Sequence, residues 1–183
     1  MKTRILTLFA ALAALSFYPQ CLHAAVTNAA PERIGVYDSR LIAYASFWTE
    51  AHQRKLNDLI KEARAARTIG ETNRCREIEA TLRQERERSH LQVFSTASVD
   101  DILAGMKDRV ATVRQEAGVS LLVSRWDEET LKQYRAARQV DVTDQLLRQF
   151  QLTEKQRKVI EEVRRQPPLP LREAQELMRS GRL

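Results

Sequence analysis

Val119-Ser120-Leu121-Leu122-Val123 decides how the rest of this 183-residue chain is read. The run is short, aliphatic and partly β-branched, entered through Gly118 and left through Ser124-Arg125-Trp126. A stretch of that length and composition predicts a buried strand rather than a helix. Gly118 stands where a helix C-terminal glycine belongs, directly after the periodic run Val99–Ala117. The comparable stretch near the other end is Ile34-Gly35-Val36-Tyr37. Two strands separated by a long helical excursion predict a small β base carrying helical arms. The expected fold class is α+β and mostly helical. It has base strands at 34–37 and 119–123, a long antiparallel, coiled-coil-like hairpin arm over about 40–117, and C-terminal helices.

Outward from the first strand, Asp38 or Ser39 can cap a helix, because either side chain accepts from the unpaired N–H groups of a first turn. Leu41, Ala45, Trp48, Leu56, Leu59, Ile60 and Ala63 then recur at helical spacing. His52 falls on that stripe without a second ligand-type residue at metal spacing, so it reads as a packed side chain. Thr68–Asn73 contains Gly70 and predicts the turn between arm helices. The returning helix, from about Thr72 to Leu91, is thin in apolar residues and carries Arg83-Gln84-Glu85-Arg86-Glu87-Arg88. Opposite charges and one narrow seam would hold such a helix in an antiparallel pair. Helices of about 28 and 20 residues would extend roughly 40 and 30 Å. Phe94–Ser98 interrupts the return. Ser98 with Asp101 predicts a capping box, opening the cleanest amphipathic stripe in the chain, Val99 to Ala117.

Beyond Trp126 the sequence turns polar, and Leu131 and Tyr134 belong to an irregular segment or a short helix. Gln139–Thr143 leads into a helix carrying Leu146, Leu147 and Phe150. Thr153 and Gln156 predict a second capping box, opening a helix with Val159, Ile160 and Val163. That helix stops before Pro167, the run 167–170 reads as a stiff spacer, and Leu171–Met178 as a last weak helix. The expected base core is Ile34, Val36, Val119, Leu121, Val123, Leu146 and Leu147, within a domain 34–150. A helical extension over 151–183 follows it, and a flexible lead-in over 25–33 precedes it.

At the amino terminus, Lys2 and Arg4 precede an apolar run, Ile5 to Phe17, and a small-residue exit at Leu22-His23-Ala24-Ala25. This predicts a signal peptide over 1–24, cleaved near Ala24. The run falls short of the ~20 residues a membrane-spanning helix needs. Tyr18-Pro19-Gln20 lacks the small residues that a lipid anchor on Cys21 would want. Cleavage would lower the formal charge from +6 to +4, by removal of Lys2 and Arg4, and leave Cys75 as the single cysteine. No internal disulfide is then available. Between Arg74 and Arg76, Cys75 reads as an exposed, tolerated thiol.

The pattern contains no glycine-rich phosphate loop, no Gly-x-Ser-x-Gly and no His/Cys/Asp spacing suited to a metal. No catalytic, cofactor-binding or metal residue is expected, and the chain reads as a non-enzyme. Asp100-Asp101 is explained by the helix dipole. Binding is easier to argue. Between Arg40 and Ser98 there are eleven Lys/Arg against eight acids, an excess of +3. The candidate client-contact residues are Arg54, Lys55, Lys61, Arg64, Arg67, Arg74, Arg76 and Arg83, with Phe47 and Trp48 at the arm root. Such an excess steers acidic clients or anionic membrane surfaces toward the arms. The plainer alternatives are a salt-bridge-laced, solvated face for the charges and packing against 99–117 for the aromatic residues. Interspersed acids and the export signal argue against nucleic acid.

Three blocks together resemble one family: Arg33-Ile34-Gly35-Val36-Tyr37-Asp38, Glu116-Ala117-Gly118-Val119-Ser120-Leu121-Leu122-Val123, and Val140-Asp141-Val142-Thr143-Asp144-Gln145-Leu146-Leu147. Their order around a helical hairpin, over roughly 33–150, resembles the Skp/OmpH family of periplasmic chaperones. The resemblance implies a periplasmic homotrimer with a shared β base. Its arms would enclose unfolded outer-membrane proteins without ATP and so assist their assembly. Ser120 stands where that family's strand carries an acid, and 151–183 extends past its usual end. The second function the sequence allows is a non-catalytic envelope adaptor, whose arms or tail bind one folded partner.

Overall fold

The computed structural model describes residues 32–182; the expected signal peptide and the lead-in through residue 31 lie outside the described residues. The fold is α+β and mostly helical. Strand β1 (Arg33–Tyr37) leads into α1 (Ser39–Phe47), α2 (Glu50–Thr68), α3 (Thr72–Phe94), α4 (Asp100–Gly105) and α5 (Lys107–Ala117). Then follow β2 (Leu121–Ser124), α6 (Glu128–Gln133), β3 (Arg138–Asp141), α7 (Thr143–Leu147), α8 (Glu154–Arg164) and α9 (Leu171–Arg179).

The base is a parallel sheet in the order β2-β1-β3, with Ile34 level with Leu121 on one side and Gln139 on the other. Parallel strands need crossover connections: five helices lie between β1 and β2, and α6 carries the chain from β2 to β3 on the other side of β1. Because side chains alternate along a strand, the sheet has two apolar faces. Ile34, Val36 and Val123 pack with Leu121, Leu131 and Tyr134 on the α6 side. The opposite face joins the main core through Tyr37, Val119 and Val142, with Leu41, Ile42, Val113, Leu146 and Ile160 from the helices. The expected base core is therefore split: Val119, Leu146 and Leu147 lie in one cluster, and Ile34, Val36, Leu121 and Val123 in the other.

Several expectations need correction. The second strand starts at Leu121, because Val119 N–H is taken by Arg114 O and Gly118 N–H by Gln115 O in the helix closure. This double bond, with Gly118 at φ +61, is the Schellman arrangement that a glycine at that position allows. The third strand, β3, occupies what reads as a lead-in to a helix. The first arm helix is interrupted, since Thr49 leaves the helical conformation and accepts from His52 N–H to start α2 anew. The return 99–117 is likewise two helices, broken at Met106. No capping box forms at Ser98. Its hydroxyl accepts from Asp100 N–H, while Asp101 is drawn to Gln92 and Arg88. The box at Thr153–Gln156 does form.

Of the expected extension 151–183, the described part, 151–182, is not set apart from the domain. Ile160 is buried in the main core, and Ala174 is fully buried where α9 meets α3. The 167–170 run is docked rather than a free spacer: Leu169 N–H donates to Phe94 O, and Thr96 N–H to Leu169 O. Cys75 is buried, not exposed, with its thiol 3.4 Å from Glu79 Oε1.

Candidate functional site: the arm and its root

Helices α2 and α3 form the arm. Ile69-Gly70-Glu71 reverses the chain, with Gly70 at φ +80 and Glu71 N–H closing on Ala66 O. The two helices meet along a narrow seam of Ala63, Ala66, Cys75 and Ile78. At 1.5 Å per residue, their 19 and 23 residues extend about 28 and 34 Å. The long first helix expected at the sequence level is thus divided, and its first third, α1, belongs to the base.

Ion pairs cross the hairpin from Lys55 to Glu85 at 2.7 Å, from Arg67 to Glu79 at 2.5 Å, and from Arg74 to Glu62. Arg54 pairs with Glu50 and Lys61 with Asp58 along α2. Of the candidate client-contact bases, Arg64, Arg76 and Arg83 have no ion pair among the described residues, and all eight are exposed. Solvent screens exposed pairs of this kind, so these contacts set the arm's charge pattern more than its stability. Arg40 does not belong to this surface, and without it the arm's excess of three becomes two.

The exposed large apolar side chains among the described residues are Ile60, Ile69 and Phe94, and all three sit on the arm. Ile69, at the tip, is 69% exposed. Near the root, Phe47, Leu56, Ile60 and Leu82 line a groove of about 230 Å³ with Arg86 and His90 at its edge. Phe47 and Trp48 are half-buried and also pack against the main core, Trp48 beside Tyr44 and Phe47 edge-on to His52. The structure therefore gives Phe47 both roles, groove wall and packing, and Trp48 chiefly the second. His52 Nε2 is buried without a hydrogen-bond partner among the described residues. Burial holds its pKa below 6.5, against the upward pull of Glu85 and with the help of Lys55 and Arg88.

A buried polar clamp beneath the arm was not foreseen from the sequence. Asp38 Oδ2 and Arg40 Nη2 lie 3.0 Å apart, both side chains almost wholly buried. Asp38 Oδ1 also accepts from Arg40 N–H, Arg40 Nε and Trp126 Nε1. Asp38 N–H donates to Thr143 Oγ1, and Arg40 Nη1 donates to Gln166 O. The guanidinium stands 5.0 Å from the Trp126 ring centroid. One cap residue thus joins β1, the exit of β2, α7 and the end of α8. The available signal was Asp38-Ser39-Arg40 at a strand exit, where two charged residues flank a residue that must enter the base.

No family model, curated protein or solved structure matches this chain. Among the described residues, no helix is long and apolar enough to cross a membrane.

Proposed function

We propose that this protein is an exported, ATP-independent holdase that keeps unfolded envelope proteins from aggregating, acting as a homotrimer in the periplasm. The observation that carries the reading is the confinement, among the described residues, of the exposed large apolar side chains, Ile60, Ile69 and Phe94, to the arm. A solvated helix that displays isolated apolar groups beside uncompensated arginines suits weak, repeated contact with an unfolded chain, and several arms acting together raise its strength. Arg64, Arg76 and Arg83, which have no ion pair among the described residues, add an attraction for acidic clients and anionic membrane surfaces that weakens with salt. No chemical step is required of the chain.

A second reading, an adaptor for one folded partner, is favoured by the arm's ion pairs. Five of the eight candidate bases are paired, three of them across the hairpin, which fixes a defined charge pattern. One experiment separates the two. Urea-unfolded outer-membrane barrel proteins of several unrelated kinds are diluted into low-salt buffer with and without the protein, and light scattering is followed. A holdase suppresses aggregation of most of them, less so at high salt, and Ile60→Ser/Ile69→Ser weakens the effect. Unchanged aggregation across the panel would sink the holdase reading and leave the adaptor.

A further inference from the structure

At the C-terminal ends of β1 and β2, away from the arm groove, lies an open cleft of about 610 Å³. Its walls are Tyr37, Leu122, Trp126 and Pro168, and its rim carries Asp100, Asp127, Glu128 and Glu129. No lysine or arginine among the described residues lines it, although the chain as a whole is basic. Asp127 is held in its ionised form by hydrogen bonds from the Thr130 hydroxyl and N–H. Glu128 pairs weakly with Lys132 at 3.5 Å, and Asp100 and Glu129 have no ion pair among the described residues.

Two further features point to a ligand. Tyr37 is 3% exposed, lines the cleft, and its hydroxyl has no hydrogen-bond partner among the described residues. The hydroxyl is not among the fully enclosed side-chain atoms that lack a partner, so it opens onto the cleft and is available to whatever occupies it. Its own burial and the nearby Asp100 and Asp127 carboxylates raise its pKa, so the proton stays on the oxygen. In addition, β2 is an edge strand: Leu121–Ser124 pair with β1 on one side, and Leu122, Val123 and Ser124 border the cleft. The carboxylates do not converge into a group of three or more that could hold a metal ion among the described residues. Their spread suits positive charges distributed along a chain.

We infer that this cleft binds an extended basic polypeptide segment, its Lys or Arg side chains meeting Asp100, Asp127 and Glu129 and its backbone running beside β2. Tyr37 supplies a hydroxyl that can accept from a ligand N–H and donate to a neighbouring carboxylate. The apolar and proline walls receive the stems of long basic side chains. The edge strand supplies alternating main-chain donors and acceptors, of which a polyamine, having no acceptor, could use only the carbonyls. This surface is separate from the arm, and it stands whether or not the arm holds unfolded clients.

The test uses the full chain and a fluorescein-labelled eight-residue peptide of alternating lysine and threonine, read by anisotropy. A glutamate–threonine peptide and spermine serve as comparisons. The lysine peptide is expected to bind and the glutamate peptide not, with affinity falling steeply between about 50 and 300 mM salt. Asp100→Asn/Glu129→Gln should weaken binding by about tenfold, since each removes a nearby opposite charge. Tyr37→Phe should weaken it severalfold. Circular dichroism confirms folding; should Tyr37→Phe fail to fold, the surface double variant carries the test alone. Equal binding of the glutamate peptide, affinity unchanged in the folded variants, or displacement by spermine as effective as by unlabelled peptide would each overturn the proposal.

Discussion

Arg40 shows how much one side chain's placement matters. On the sequence it is one of eleven basic residues of an arm; in the fold it is buried, its charge balanced by Asp38 and its remaining donors spent on Gln166 O and the Trp126 face. Removing one partner of a buried pair leaves the other charge unsolvated, at a cost of about 3–5 kcal/mol. Arg40→Ala is therefore expected to lower the urea unfolding free energy by that amount. Arg67→Ala, which breaks a solvent-screened arm pair, should leave it nearly unchanged. Comparable losses in the two variants would show that the Asp38–Arg40 clamp does not tie the base together. The sequence reveals Asp38 as a cap, since capping is decided within three residues. It does not reveal the clamp, whose other members lie 88, 105 and 126 positions away.

At the scale of elements, the break between α1 and α2 places His52 in a distinctive position. Burial is the largest influence on it and disfavours its charged form; Lys55 and Arg88 act in the same direction, and Glu85 opposes them. The Asp101 carboxylate lies farther out, paired with Arg88. Because the folded state holds the proton less tightly than the unfolded chain, stability contributed here is present above the ordinary value of 6.5 and is lost as pH falls below it. His52→Leu keeps an apolar side chain against Phe47 and removes the titration. Between pH 7.5 and 5.5 the urea midpoint of the unmodified protein should fall further than that of His52→Leu; parallel pH profiles would count against this account. Boundaries that rest on short-range hydrogen bonds, at Asp38, Gly118 and Thr153, were legible in the sequence. Strand β3 was not, because Arg138-Gln139-Val140-Asp141 offers one half-buried apolar side chain and is a strand through backbone pairing with β1. The break at Thr49 was hidden by an apolar stripe that continues on both sides of it. The arm's bases were legible as composition, but their pairing was not, since cross-hairpin partners stand 12 to 30 residues apart.

Across the whole molecule, the arm and the base draw on different interiors. Val93, near the root, is the buried member of α2 and α3 that belongs to the main core, whereas Ala63, Ala66, Cys75 and Ile78 form the arm's own seam. The base should then tolerate a shorter arm. Excising residues 58–68 and 72–82 removes about three turns from each helix together with the seam of Ala63, Ala66, Cys75 and Ile78, keeps the rotational phase of the root segments that remain, and leaves Ile69-Gly70-Glu71 as the turn. In a Trp48→Phe background, Trp126 fluorescence reports the base alone, because that indole is tied to Asp38 and Arg40. Its urea midpoint is expected to change little on shortening, while suppression of client aggregation falls sharply with the loss of Ile60, Arg64 and Arg76. A large drop in the Trp126 midpoint would mean that arm and base unfold as one unit. Retained suppression in a chain with an intact base would place client binding outside the excised segments and remove Ile60, Arg64 and Arg76 from it. Light scattering on the same two proteins measures their native mass: three chain masses for both would assign assembly to the base, where β2 and β3 have open edges. A trimer that dissociates on shortening would assign it to the arms.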